Sequence, residues 1–265
     1  MSVIALTSPG DHPGLTTTAF AMTLTWPGPV LLAECSPAGG RILRGYFQCE
    51  SPEGGGLWEL ALAAAQGPNA AVGALWDQTT PLDDRRQRLL LPGLTDPFLS
   101  TELSASTWET LAATFAELSV TVLADAGPIS PEQPFALLRA AELVLVVMRP
   151  ALAQVAAARP RLDRLRKALG HGTPPLGLCL IGDRPYSLRD IRAALGDFSF
   201  TAVLPVDAHA AQILSDGGGS DRARRRIELS PLMHAAAAAG QSAARFTAAQ
   251  RRLSGAGPSV REWRR

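Results

Sequence analysis

Short, continuous apolar runs recur along the chain, and turn residues bound each of them. Strands that are buried on both faces have this pattern, as in a parallel sheet covered by helices on both sides. The pattern therefore predicts six buried strands. They are Val3–Thr7, Val30–Glu34, Val120–Asp125, Leu143–Met148, Leu176–Gly182 and Phe200–Pro205.

Segments with helical spacing lie between these runs: Thr16–Leu24, Ser106–Leu118, Ala151–Leu169 and Ser187–Leu195. Pro160 lies inside the third of them, and it predicts a kink or a split there. Alternation of strands and helices is typical of βαβ units. We therefore predict an α/β fold with a doubly wound, mostly parallel sheet flanked by helices.

The remaining segments predict the domain organisation. Residues 54–97 are less regular, with a helix at Leu57–Ala65 and a short strand at Arg88–Leu91, and we expect an insertion within an α/β domain of residues 1–215. Residues 216–253 read as a basic linker followed by an alanine-rich helix from Ser230-Pro231 to Leu253, because proline is favoured in the first helical turn. Residues 254–265 have the composition of a disordered basic tail.

Composition narrows the possible chemistry. Of 265 residues 46% are hydrophobic, as in ordinary globular proteins, and Lys167 is the only lysine among 25 basic residues. A site that needs a lysine near the N-terminus is thus excluded unless Lys167 folds back to supply it. Three scattered cysteines argue against a disulfide framework or a zinc site and for a reducing compartment. No G-x-S-x-G or H-E-x-x-H motif is present.

Localisation and charge follow from the same sequence. The first residues lack the basic segment of a signal peptide, and no apolar run reaches a membrane-spanning length, so we expect a cytoplasmic protein, either free or peripheral to the membrane or nucleoid. Residues 221–265 carry ten arginines and three acids, whereas the whole chain has a net charge of +1. This segment could contact nucleic acid, an anionic membrane or an acidic partner, or it could be a solvated tail.

The segment after the first strand holds the most specific signal. A buried strand leads into a glycine- and proline-containing loop and then into a threonine-rich helix start, which is the placement of a phosphate-binding loop. In the pattern G-x-x-x-x-G-K-[ST], Gly14 takes the second glycine and Thr16 the hydroxyl position. Pro9 then stands at the first glycine, and Leu15 stands at the lysine.

This loop resembles that of the MinD/ParA family of P-loop ATPases, which reads roughly K-G-G-x-G-K-T-T. The family's signature lysine is Gly10 here, its first two glycines are Asp11 and His12, and its P-loop lysine is Leu15. The third glycine and both threonines remain, as Gly14, Thr16 and Thr17.

The resemblance continues downstream and covers about residues 3–215. Val30–Pro37 is similar to a second strand that ends in an acidic motif, with Glu34 and Pro37 retained and Ser36 in place of the second acid. Ala124–Gly127 is similar to the switch strand with its aspartate, Asp125, and Leu204–Asp207 is similar to the segment beside the nucleotide base.

The resemblance implies a SIMIBI-like P-loop fold and a site for ATP or ADP with Mg²⁺, in which Thr16 and Asp125 would hold the metal. We predict no catalytic residue. The nucleotide-site residues that it implies are Gly10, Asp11, His12, Pro13, Gly14, Leu15, Thr16, Thr17, Glu34, Asp125, Gly127 and Asp207.

The substitutions remove the charges on which phosphoryl transfer depends. Leu15 and Gly10 carry none, Asp11 adds a negative charge, and Pro9 and Pro13 each lack a backbone donor. Three interpretations stay open: a degenerate site without ATPase activity, a slow nucleotide-binding site, or a chance glycine turn. Arg41, Arg44 or Arg149 could replace the missing charge, although the sequence offers no geometric ground for any of them.

We therefore expect a bacterial, non-catalytic MinD/ParA-like protein, a pseudo-ATPase that serves localisation or assembly with protein partners, as a homodimer held by packing. The family branch that serves pilus and secretion machinery has atypical loops, which makes it the favoured comparison. The alternative is an active ATPase of the partitioning type that binds DNA through residues 221–265. Membrane attachment by the terminal helix is a weaker third hypothesis, because the helix has few large apolar groups.

Overall fold

A computed structural model describes residues 2–10, 14–48, 55–170, 174–218 and 227–253. Its centre is an eight-stranded sheet in the order β3-β4-β2-β5-β1-β6-β7-β8. Every neighbouring pair is parallel except β3 with β4. The predicted doubly wound, mostly parallel sheet is thus confirmed.

The six predicted buried strands and the short strand Arg88–Leu91 are all present, with ends within a few residues of the prediction. A two-residue strand, β3, joins them at the edge of the sheet. The strands are β1 (Val3–Ser8), β2 (Val30–Glu34), β3 (Thr80–Pro81), β4 (Arg88–Leu91), β5 (Thr121–Pro128), β6 (Leu143–Met148), β7 (Leu176–Ile181) and β8 (Phe200–Leu204).

Helices cover both faces of the sheet. The described α-helices are α1 (Leu15–Leu24), α2 (Gly56–Gln66), α3 (Pro68–Ala74), α4 (Ala105–Ala116), α5 (Phe135–Ala140), α6 (Leu152–Leu169), α7 (Leu188–Leu195), α8 (Ala208–Asp216) and α9 (Pro231–Leu253). Two short 3₁₀ helices span Leu75–Gln78 and Pro97–Glu102.

Two apolar clusters explain why the strands read as continuous hydrophobic runs. Val3 and Ala5 of β1 pack into one cluster with α2 to α7, whereas Ile4 and Leu6 pack into the other with α1, α8 and α9. Successive side chains of a strand point to opposite faces, so a strand between two helical layers must be apolar at every position.

Helix α6 runs through Pro160 as one helix, so of the predicted kink or split at this residue the split is wrong. Its apolar side, which includes Ala158, Leu162 and Leu165, is buried against the sheet on both sides of the proline. This packing holds the helix together although a proline cannot donate the usual backbone hydrogen bond.

Helix α9 packs against the core. Gly240 lies so close to Trp26 that an added Cβ would be 3.1 Å from the indole, and Phe246 meets Phe200 of β8 at 5.8 Å between ring centroids. Arg251 pairs with Glu142 at 3.5 Å. Within the described ranges, no helix combines the length and the apolar character that crossing a membrane requires.

Candidate functional site

A cavity of about 410 Å³ opens at the carboxyl ends of β1, β2 and β5, which are neighbours in the sheet. Ligands of open α/β sheets bind at this edge, because the loops that follow parallel strands meet there. The described residues that line the cavity are Ser8, Gly10, Gly14, Leu15, Thr16, Thr17, Phe20, Ser36, Ala38, Arg41, Ile42, Asp125, Gly127, Pro128, Leu214, Ser215 and Asp216.

Gly14 makes the turn from the loop into α1. Its φ of +123° lies in a region that other residues rarely adopt, and an added Cβ would be 2.3 Å from the Ile181 side chain. Because this N-cap residue is a glycine, it has no side chain with which to cap the helix. The first-turn residues Leu15, Thr16 and Thr17 all line the cavity, so the helix presents its positive end there.

Leu15, to which the sequence resemblance gives the place of the P-loop lysine, is only 7% exposed and belongs to the apolar cluster beneath α1. A leucine is stable in this place because its side chain is removed from water by packing. It contributes apolar surface to the cavity wall and no charge.

Thr16 and Asp125 are joined directly. The Thr16 hydroxyl donates to Asp125 Oδ2 at 2.6 Å, and the Gly127 N–H donates to Asp125 Oδ1 at 3.0 Å. Burial raises the pKa of Asp125 above its ordinary value, while these two hydrogen bonds and the charge of Arg41 act in the opposite direction. Residues 16 and 125, which are far apart in the chain, thus form one polar unit.

Glu34 lies behind the cavity and does not line it. It is the ladder partner of Asp125, and it is 2% exposed. Its Oε1 accepts hydrogen bonds from the N–H groups of Arg41 (2.7 Å) and Ile42 (3.1 Å), and its Oε2 accepts one from Gly93 (3.3 Å). Burial raises the pKa of Glu34 to about 7, although these three hydrogen bonds lower it.

Stability should therefore depend on pH through Glu34. Between its ordinary pKa of 4.5 and about 7, the folded protein holds this proton more tightly than the unfolded chain does. The free energy of unfolding should fall as pH rises through this window, with a contribution from this group of up to about 1.4 kcal/mol per pH unit. Urea denaturation of the wild type and of Glu34→Gln at several pH values between 4.5 and 8 measures the difference.

The Gln variant keeps a carbonyl oxygen for Arg41 and Ile42 but cannot ionise, so its stability should change less across this window. Glu109→Gln is the matched control, since Glu109 is exposed on α4. Parallel curves for the wild type and Glu34→Gln would contradict the prediction.

The far wall of the cavity comes from two segments, of which the sequence singled out only Ser36 and Arg41 as candidates. One is the loop after β2, which supplies Ser36, Ala38, Arg41 and Ile42, and the other is the end of α8. Their backbones are in contact, because a Cβ on Gly45 would be 1.8 Å from the Ser215 carbonyl oxygen. Thr17 Oγ1 lies 3.2 Å from Ser215 Oγ, which ties α8 to α1.

The other predicted residues are placed as follows. Asp11, His12 and Pro13 lie outside the described residues. Asp207 caps α8 by accepting from the Ala210 N–H at 3.0 Å, and it does not line the cavity. The Arg44 guanidinium donates to the Leu94 carbonyl at 3.2 Å. Arg149 is exposed at the end of β6, away from the cavity lining.

The residues fit a magnesium nucleotide only in part. The oxygen atoms of Thr16 and Asp125 are ligands of the kind that Mg²⁺ takes, and the start of α1 offers backbone donors for a phosphate group. The two lysine positions do not fit, since neither Gly10 nor Leu15 carries a charge. Within the described ranges, no group of three or more metal-ligating side chains occurs.

Comparison with known proteins supports the fold. No protein-family model matches the chain, and no curated protein matches it. Among solved structures, the ParA family ATPase from Chlorobium tepidum has a TM-score of 0.71 at 15% identity, covering 91% of this chain and 97% of the other.

Two MinD structures agree with this result. MinD from Pyrococcus horikoshii, complexed with Mg-ADP, has a TM-score of 0.69 at 14% identity over 94% of this chain and 98% of its own. The MinC:MinD complex of Aquifex aeolicus gives 0.67 at 17% identity over 100% of both chains. The chain thus has the fold of the MinD/ParA ATPases.

Proposed function

We propose that this chain, with its MinD/ParA fold, does not hydrolyse ATP and acts as a localisation or assembly module. The observation that supports this most is Leu15, which stands at the P-loop lysine position and is buried in the apolar cluster of α1. The chain retains the scaffold of a nucleotide site and has lost the charge that the chemistry needs.

The energetic argument concerns the transition state. Phosphoryl transfer is catalysed mainly by positioning and by neutralising charge on the phosphate oxygens. Removal of one transition-state donor typically costs about 3 kcal/mol, or roughly 10²-fold in rate. Two such charges are missing here, and Asp11 adds a repelling one. We therefore expect turnover to be lost.

Proteins of similar structure suggest the role. The solved neighbours include a cell-division MinD in complex with MinC and a ParA family ATPase. By analogy, we propose that this chain binds protein partners and positions them, in partitioning, at a cell pole or in pilus or secretion machinery. Its homodimer would be held by packing, because a site without the two lysines cannot use ATP to join two subunits.

Phosphate release from Mg-ATP tests the proposal. We expect the rate with the full chain to equal the rate of a sample without protein, from micromolar to millimolar ATP. Thr16→Ala is the matched control, since it removes the hydroxyl that bonds Asp125 and should abolish any turnover at this site. Phosphate release by the wild type that Thr16→Ala abolishes would refute the proposal.

The alternative function is an active ATPase that binds DNA through residues 221–265. The retained Thr16–Asp125 pair is the observation that favours it. The same assay with added duplex DNA separates the two, because the alternative predicts DNA-stimulated turnover. Under the alternative, a variant that ends at Leu253 should show weaker stimulation by DNA than the full chain. A deletion that began at residue 221 would also remove α9, which is part of the folded core.

A further inference from the structure

Arg41 is the positive side chain that lines the cavity in the described part of the chain. It lies in the loop after β2, it is exposed, and its positive charge lowers the pKa of Asp125, which lines the same cavity. Within the described residues its guanidinium makes no hydrogen bond or ion pair. A cation without a partner beside a polar cavity is available to a negatively charged ligand.

The backbone of Arg41 is held in place although its side chain is exposed. The N–H groups of Arg41 and Ile42 donate to the buried Glu34 carboxyl group, and the Gly40 N–H donates to the Leu94 carbonyl at 2.9 Å. On the following turn, Gly45 abuts the end of α8. These contacts fix the backbone from which the side chain reaches the cavity, so binding a ligand requires ordering of the side chain but not of the loop.

Hydroxyl groups in the cavity wall suit a phosphate as well. Thr16, Thr17, Ser36 and Ser215 place hydroxyl groups in the cavity wall, and the first turn of α1 faces the same space. Ser36 lies in the same loop as Arg41 and carries no charge that could pair with the guanidinium. With a serine there, the guanidinium stays available for a bidentate contact with phosphate oxygens.

We propose that Arg41 supplies the positive charge of a phosphate-binding site in this cavity, which holds the phosphate of a small ligand without cleaving it. The proposal rests on the proposed function, because it makes the degenerate site a sensor or anchor rather than a catalyst. Arg41 approaches from the loop after β2, whereas the lysines of the resembling family belong to the loop before α1. It therefore replaces their charge but not their position.

Two carboxylates also line the cavity, Asp125 and Asp216, and they oppose an anion. A divalent cation bound with the ligand offsets this repulsion, since Thr16 and Asp125 offer oxygen ligands to it. Binding should therefore be stronger with Mg²⁺ than with EDTA.

Isothermal titration calorimetry of the full chain tests the proposal with three probes: Mg-ATP, inorganic phosphate and adenosine. We expect wild-type binding of at least one phosphate-bearing probe. Arg41→Ala should weaken that binding roughly 10- to 100-fold, the loss typical of a charge-assisted contact. Arg41→Lys should recover part of it, and Arg149→Ala should not change it, because Arg149 is an exposed arginine outside the cavity lining.

Thermal unfolding of each variant confirms that it is folded. If Mg-ATP binds and inorganic phosphate does not, the ligand is a nucleotide. If both bind equally, free phosphate is sufficient. Either result supports the site. Three results would overturn the proposal. Adenosine could bind as tightly as Mg-ATP, Arg41→Ala could bind the probes as tightly as the wild type, or the folded wild type could bind neither Mg-ATP nor phosphate. The proposed lack of hydrolysis fails separately, through phosphate release.

Discussion

Gly45→Ala should lower the free energy of unfolding by about 3 kcal/mol. The new Cβ would be 1.8 Å from the Ser215 carbonyl oxygen and 3.0 Å from its carbonyl carbon. Both are backbone atoms in the last turn of α8, so no side-chain rotation can relieve the overlap. Either the loop after β2 or the end of α8 must move.

Urea denaturation at constant pH measures this effect, with Gly73→Ala as the matched control. Gly73 lies in α3, and an added Cβ meets nothing within 4 Å there. Alanine is the better helix former by roughly 1 kcal/mol, so the control should be neutral or stabilising. A loss below about 1 kcal/mol for Gly45→Ala would show that the loop and α8 are not packed as described.

Phe20→Ala should cost about 3 to 5 kcal/mol of stability. Phe20 is fully buried in α1, and its ring meets Tyr46 edge-on at 4.8 Å between centroids. It also lines the cavity, so truncation removes the packing between the site and the core beneath it. The variant loses the free energy of burying the apolar ring and the edge-on contact with Tyr46.

The same substitution at the surface provides the control. Phe98 is 79% exposed in the 3₁₀ helix Pro97–Glu102, and Phe98→Ala should change stability by less than about 0.5 kcal/mol. Denaturant titration of both variants measures their free energies of unfolding, which can be compared if the m-values are equal. Equal effects for the two substitutions would contradict the burial of Phe20.

The strands were predictable because their signal is local. A run of five or six apolar residues bounded by turns fits few structures other than a strand buried on both faces. The ends of Val30–Glu34 and Leu143–Met148 were predicted to the residue. Helices α3, α5 and α8 were not predicted, since each is short and has no long periodic pattern, although Asp207 offers α8 a cap. The split at Pro160 was predicted wrongly for a related reason: the sequence shows the local cost of the proline but not the packing that offsets it.

The candidate site divides in the same way. The loop before α1 and Asp125 could be selected because motif spacing is carried by contiguous residues. Ser36 and Arg41 lie in a segment whose direction depends on Glu34 and on α8, so their approach to the cavity had no signal in the sequence. The sequence alone could not distinguish Arg41 from Arg44 and Arg149, and the structure shows that only Arg41 of the three lines the cavity.

By itself, then, the sequence determined the layered α/β architecture and the absence of lysine at positions 10 and 15, since hydrophobic patterning and residue identity are properties of the chain. Only the tertiary structure decided that Thr16 bonds Asp125, that Leu15 is buried, and that Arg41 faces the cavity. These facts depend on the strand order that brings β2, β5 and β1 together and on the return of α8 across their ends. Contacts between such distant residues are set by the packing of whole layers, which no local pattern encodes.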